Sequence, residues 1–173
     1  MNLTIRDATE NDLVAVQHIY AEHVIHGIAS FEETPPDLSE ITRRFAALRN
    51  AGYPFTVAAM GDTVKGYAYA GPYRPRPAYR YTVENSVYIA PDALRQGIGG
   101  KLLGDLIERC TGQGYRQMVA IIGDSGNAGS ITLHTRLGFT HRSTVTSVGF
   151  KHGRWVDQVI MQRALGEGDQ TLP

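Results

Sequence analysis

Apolar and polar residues alternate at Leu3, Thr4, Ile5 and Arg6, the pattern of a half-buried strand. Thr9-Glu10-Asn11-Asp12 then has the form of a helix start, a threonine followed three residues later by a carboxylate. Leu13, Val16, Tyr20 and Val24 recur at three- and four-residue intervals and predict the buried face of a first helix. Gly27 and Pro35-Pro36 end it and open a loop. A second helix is predicted from Ser39 to Asn50, with Ile41, Phe45 and Leu48 on one side. The pattern then reads as two strands, Phe55–Met60 and Val64–Tyr69, joined by a tight hairpin at Gly61-Asp62.

The proline-rich run from Gly71 to Pro77 is predicted to be irregular. Tyr81–Ile89 is rich in aromatic and β-branched residues and predicts another strand, closed by Pro91. Leu102, Leu103, Leu106 and Ile107 mark the inner face of a helix from Gly99 to about Arg109. Met118–Ile122 suits a central strand, Asn127–Leu137 a helix, and Gly138 its stop. Two last strands, Thr140–Phe150 and Trp155–Gln162, flank the turn Lys151-His152-Gly153-Arg154. Trp155 and the closing hairpin suit either a subunit interface or the core, with the core preferred, and the polar tail after Leu165 is expected to fray. The expectation is one α/β domain over residues 1–165 with a polar tail at 166–173.

Composition narrows the classes. Seventeen basic residues balance 17 acidic ones, without the basic excess of a nucleic-acid-binding surface. No run approaches the roughly 20 apolar residues that cross a bilayer, and the N-terminus has no signal-peptide pattern. A single cysteine, Cys110, cannot form an intrachain disulfide and suits a reducing compartment, so a cytoplasmic location is expected, with no membrane or nucleic-acid partner. His18, His23 and His26 lie close together, but no carboxylate or cysteine completes a metal set, and none is assigned.

The most informative stretch is Val87-Tyr88-Ile89-Ala90-Pro91-Asp92-Ala93-Leu94-Arg95-Gln96-Gly97-Ile98-Gly99-Gly100-Lys101-Leu102-Leu103: strand, glycine turn, amphipathic helix. Glycines there let the backbone approach a ligand, and a helix N-terminus favours an anion such as a pyrophosphate. The dinucleotide fingerprint needs glycine at position 102, where leucine stands; the Walker loop needs Ser or Thr after Gly100-Lys101. Both fail. A glycine turn that serves packing alone is the other reading of this segment.

What remains resembles the pyrophosphate loop of the GNAT superfamily of N-acetyltransferases, with Gly97 and Gly99 in its glycine places. Leu94 occupies the place where that family usually has Gln or Arg, and Arg95 comes one position late. Downstream, Asn127-Ala128-Gly129-Ser130-Ile131-Thr132-Leu133-His134-Thr135-Arg136-Leu137-Gly138-Phe139 is similar to the family's second motif, with His134 where a tyrosine is usual. Ala68–Pro72, Tyr81–Tyr88 and Gly149–Trp155 resemble more narrowly the phosphinothricin and methionine sulfoximine N-acetyltransferases.

The resemblance implies a mixed, mostly antiparallel sheet of about six to seven strands flanked by about four helices. It implies acetyl-CoA as cosubstrate and no metal, and acetylation of the α-amino group of a small glutamate-like molecule. Val87, Tyr88, Ile89, Leu94, Arg95, Gln96, Gly97, Ile98, Gly99, Gly100, Asn127 and Ser130 become the candidate cofactor contacts. A backbone N–H of Tyr88 or Ile89 is the candidate oxyanion donor. Glu84, a carboxylate in a strand suited to burial, is the candidate general base, and His134 the second acid/base. Arg74, Arg76 and Tyr79, with Arg80 as a further possibility, are candidates to meet substrate anions, on a loop stiffened by prolines. Phe31 matches a family aromatic that packs on the substrate, and a homodimer is implied. Two alternatives stay open: acetylation of a peptide or protein amine, and a non-catalytic acyl-CoA-binding sensor.

Overall fold

The computed structural model describes residues 2–173. Seven strands form one sheet in the order β1-β2-β3-β4-β5-β7-β6. These are β1 (Leu3–Asp7), β2 (Phe55–Met60), β3 (Thr63–Pro72), β4 (Thr82–Ile89), β5 (Gln117–Gly123), β6 (Thr140–Lys151) and β7 (Arg154–Ala164). All neighbours are antiparallel except β4 and β5. Four α-helices, α1 (Leu13–His26), α2 (Leu38–Asn50), α3 (Ile98–Gly112) and α4 (Ala128–Arg136), complete the fold. The expected mixed sheet and helix number are both met.

Side chains of a strand alternate between faces, and β3 divides the molecule accordingly. Tyr67 and Tyr69 line a cavity beneath α1 and α2. On the other face a side chain at Gly66 would strike Leu102 of α3 at 3.2 Å, so that glycine lets α3 lie close on the sheet. Leu102, Leu103 and Leu106 are fully buried there, each contributing about 1.5–3 kcal/mol.

The Thr9–Asp12 signal is realised, with Asp12 Oδ2 accepting from the Thr9 backbone N–H at 2.8 Å. It opens a 3₁₀ turn, Glu10–Asp12, that leads into α1. Asp12 also receives both arms of the Arg6 guanidinium, each at 2.8 Å. Asp37 starts α2 one residue earlier than predicted, accepting from Glu40 N–H at 2.8 Å. Gly138 stops α4 at a φ of +82°, in the left-handed region that glycine enters freely. His152 and Gly153, at φ of +51° and +73°, make the two-residue turn between β6 and β7.

Three expectations are corrected. β3 runs on to Pro72, opposite Val83 of β4, although the proline run was expected to be irregular. Beyond it Pro77–Tyr79 forms a 3₁₀ turn, with proline at its first position where no donor is needed. Trp155 is not core: it is 64% exposed, because it pairs with Phe150 on the face of the β6–β7 hairpin opposite Lys151, which is the face that the Ser30 loop covers. The tail is tied down rather than frayed. Arg116 Nε donates to the Gly168 carbonyl at 2.8 Å and its Nη2 to the Thr171 carbonyl at 2.8 Å, and Leu165 is buried. No helix of the described residues is long and apolar enough to cross a membrane.

Candidate active site

β4 and β5 share four parallel rungs, from Thr82 opposite Gln117 to Asn85 opposite Ala120. They then part. β4 continues to Ile89, still paired with β3, while β5 continues to Gly123 alongside β7. The backbone of β4 beyond Asn85 is thus left without a strand partner on that edge. The V between the two strands opens into a cavity of about 920 Å³. The Ile89 carbonyl accepts from His23 Nε2 at 2.8 Å, fastening the end of β4 to α1.

The chain leaves β4 through Pro91–Ala93 and reverses at Arg95 and Gly97, with φ of +61° and +77°. An arginine in the left-handed region costs about 1–2 kcal/mol, strain of the kind found at ligand sites. The first N–H groups of α3, at Ile98, Gly99 and Gly100, have no acceptor within the helix. They lie on the cavity wall with the positive end of the helix dipole. A Cβ on Gly99 would stand 3.2 Å from Leu133 Cδ2, so its absence lets α3 and α4 close on each other. This cradle fits a pyrophosphate. Leu94, Arg95, Gly97, Ile98, Gly99 and Gly100 all line it, as do Val87, Tyr88 and Ile89. Gln96 instead folds back and donates to the Asp92 carbonyl at 3.1 Å, engaged with the turn itself.

From the other side α4 contributes Asn127, Ser130 and His134. Asn127 caps the helix, its Oδ1 accepting from the Ser130 N–H at 3.1 Å. One turn on, His134 Nδ1 lies 2.8 Å from the Ser130 carbonyl and Nε2 lies 3.0 Å from Asn85 Oδ1. The ring is buried and stands edge-on to Phe139 at 5.0 Å. Burial pulls its pKa down from the ordinary histidine value, with the Ser130 bond opposing.

Because Asn85 turns toward α4, its neighbour Glu84 turns to the opposite face of the sheet. Ser86 and Tyr88 share that face, where Tyr88 rests edge-on against Tyr20 of α1 at 5.0 Å. Glu84 stands across from Gly71, where a side chain would touch Leu48 of α2 at 3.4 Å. Burial raises the Glu84 carboxyl above its ordinary pKa, and the Arg74 charge acts in the opposite sense. Such a carboxyl holds protons more tightly than a surface one, as a base for an ammonium group requires.

Arg74, whose charge acts on Glu84, and Arg76 are both exposed. The Arg74 guanidinium lies 5.2 Å from the Tyr73 ring, and Tyr79 meets that ring edge-on at 5.6 Å. Arg80 is engaged elsewhere, over Tyr81 at 4.7 Å and on the Pro77 carbonyl at 3.2 Å. Phe31 lies on a shelf made by two glycines. A Cβ on Gly149 would fall 2.6 Å from its ring, and one on Gly123 3.1 Å. The loop carrying it is held by buried Lys151, whose Nζ donates to the Ser30 carbonyl at 2.8 Å. Arg44 holds Glu32 through Nη2 at 2.7 Å, and Glu32 accepts from the Tyr20 hydroxyl.

Asn85, Lys151 and the Arg44–Glu32 pair carry no motif in the sequence. Asn85 left one trace, a polar residue inside a strand suited to burial; the others look like surface charges until the loop is placed. Among the described residues no group of three or more His, Cys, Asp or Glu side chains is placed to hold a metal ion.

Comparison with known proteins agrees with this geometry. Residues 5–160 match the profile of the acetyltransferase (GNAT) domain. The chain is 54% identical over 170 residues to a phosphinothricin N-acetyltransferase of Alcaligenes faecalis, covering 98% of this chain and 86% of that one. It is 46% identical over 164 residues to an L-methionine sulfoximine/L-methionine sulfone acetyltransferase of Pseudomonas paraeruginosa, covering 94% of each. Its fold superposes with a TM-score of 0.96 on a phosphinothricin acetyltransferase of Sinorhizobium meliloti solved in complex with acetyl-CoA. That protein is 47% identical, and the match covers 100% of this chain and 94% of the other.

Proposed function

The chain belongs to the GNAT family of acetyltransferases, and from that membership we propose that it transfers the acetyl group of acetyl-CoA to the α-amino group of a small amino-acid analogue of the phosphinothricin, methionine sulfoximine or methionine sulfone type. The observation that carries this reading is the parting of β4 and β5 directly after the Glu84–Asn85 pair. It supports a division of labour in which the cofactor lies in the cleft and the amine approaches from the Glu84 face.

When bound, acetyl-CoA supplies an activated thioester carbonyl. The N–H groups at the start of α3 hold the pyrophosphate, and the free edge of β4 binds the pantetheine arm. Glu84 takes a proton from the substrate ammonium, so that the neutral amine can attack. A backbone N–H of Tyr88 or Ile89 stabilises the carbonyl oxygen as it becomes anionic. His134 serves as second acid/base on the side where the thiolate departs. Arg74 and Arg76 meet the anionic groups of the substrate, Tyr79 buttresses their loop, and Phe31 covers the substrate's apolar part.

A second copy of the chain is the partner that best fits the β6–β7 hairpin. Val148, Phe150 and Trp155 are 51%, 57% and 64% exposed along it, and Phe150 and Trp155 form a cross-strand aromatic pair at 5.3 Å. Such apolar edges are covered in stable assemblies. The buried single thiol, Cys110, suits a cytoplasmic setting.

The test is thiol release from acetyl-CoA against phosphinothricin, methionine sulfoximine, methionine sulfone, common amino acids and short peptides. Turnover confined to the glutamate-like analogues is expected. Preference for peptides would move the reading to peptide or protein acetylation, and silence with coenzyme A bound would move it to an acyl-CoA sensor.

A further inference from the structure

The acceptors around His134 specify more than its position. Its Nδ1 lies 2.8 Å from the Ser130 carbonyl, an atom that only accepts, so Nδ1 carries a hydrogen. Its Nε2 lies 3.0 Å from Asn85 Oδ1. The Asn85 amide is oriented in turn from its far side, because Nδ2 donates to the Val119 carbonyl at 3.3 Å. With its NH₂ committed to Val119, Asn85 offers His134 only an acceptor. Both ring nitrogens therefore face acceptors, the arrangement that suits the doubly protonated ring.

A neutral ring would need a donor at Nε2. Turning the Asn85 amide over would provide one, but would set Oδ1 against the Val119 carbonyl in a buried site, a costly arrangement. The groups facing the ring are otherwise neutral: Ser130 on its own helix and the Phe139 ring ahead of β6. On β4 the ionisable Glu84 and Tyr88 turn to the other face, and β5 carries no ionisable side chain. Arg136 on α4 and His141 on β6 are exposed, and Arg163 of β7 is engaged with the Leu137 carbonyl at the end of α4. Two influences thus compete at His134: burial favours the neutral ring, and the Val119–Asn85 arrangement favours the cation.

We propose that Asn85 is a positioning residue that keeps hydrogens on both nitrogens of His134, so that the ring presents a positive charge to the cofactor cleft. The charge favours departure of an anionic thiolate, and proton acceptance from the amine is left to Glu84. The catalytic part of this inference rests on the acetyl-transfer reading above; the state of the ring does not.

The experiment is an NMR titration of the histidine side chains in the ¹⁵N-labelled protein, with the His134 signal assigned through His134→Gln. It is run on the wild type, Asn85→Leu and the near-isosteric Asn85→Asp, alongside the pH dependence of kcat. In the wild type at pH 7 the ¹⁵N pattern of a ring protonated on both nitrogens is expected. The His134 midpoint should fall by about one pH unit in Asn85→Leu, where the acceptor is gone, and rise in Asn85→Asp. The His134-dependent limb of kcat should move in the same directions, which a merely structural Asn85 would not cause. A singly protonated wild-type ring at pH 7, or a midpoint unmoved by Asn85→Asp, overturns the proposal. Asn85→Asp decides the matter if the leucine variant does not fold. Absence of acetyl transfer to any substrate, with the titration as expected, would overturn the acetyl-transfer reading and leave the assignment of the ring standing.

Discussion

Glu84 and His134 occupy opposite faces of the sheet, joined through Asn85, which follows Glu84 on β4 and reaches His134 Nε2 at 3.0 Å. The two side chains that sequence motifs select as the acid/base set therefore do not form a pair. They address the gap between β4 and β5 from either side. Their environments differ accordingly, since burial lifts the carboxyl of one and lowers the imidazole of the other.

The glycine shelf under Phe31 gives a pair of contrasting variants. Gly149→Ala places a methyl 2.6 Å from the far edge of the Phe31 ring, which can swing aside. KM for the amine should rise several-fold while KM for acetyl-CoA and the melting temperature change little. Gly123→Ala places its methyl 2.1 Å from the Ile28 carbonyl, where backbone must move. That variant should lose about 1–3 kcal/mol of stability in urea unfolding.

The exposed hairpin predicts self-association. Light scattering of the wild type should give twice the chain mass, and Trp155→Glu should shift it toward the monomer with the far-ultraviolet spectrum unchanged. A wild type that stays monomeric at micromolar concentration would contradict the assignment of this surface.

Acid sensitivity has an identifiable contributor. Arg6, aided by Thr9, pulls the Asp12 carboxyl from 3.8 to about 2. A lowered carboxyl pKa contributes stability that is present above the unfolded value and lost as pH falls through the folded one. Asp12→Asn should cost on the order of 2 kcal/mol at neutral pH. It should also flatten the loss of stability between about pH 4 and pH 2, as read by urea midpoints.

The Thr56 hydroxyl is buried with no hydrogen-bond partner. Thr56→Val keeps the shape and removes that desolvated group, so the unfolding free energy should rise by about 1 kcal/mol. No gain would mean that the hydroxyl is satisfied by a water molecule.

How much of this was legible beforehand follows from the range of each signal. The helices and strands were read from local periodicity, and the cofactor cradle from glycines whose backbone conformations they alone adopt cheaply, Gly97 above all. The Asn85–His134 contact joins residues 49 positions apart and has no local mark. The sequence of the closing hairpin does not distinguish a buried Trp155 from an exposed one. Its exposure follows from which face of the β6–β7 hairpin the Ser30 loop covers, a tertiary matter rather than one of sequence pattern. The tail's polarity alone predicts fraying, but one arginine 52 residues upstream of Gly168 satisfies its carbonyls.

The most direct measurement of the central claim is the pH dependence of kcat/KM for wild type and Glu84→Gln with one glutamate-like substrate. A base must be ionised to work, and burial raises this carboxyl's pKa. Wild-type activity should therefore fall as pH drops through a midpoint above the ordinary carboxylate range. Glu84→Gln should lose that limb and about 10²-fold or more of kcat/KM, with acetyl-CoA binding unchanged. It should fold at least as stably, since it removes a buried charge. A glutamine variant with wild-type kcat/KM across the pH range would contradict the account.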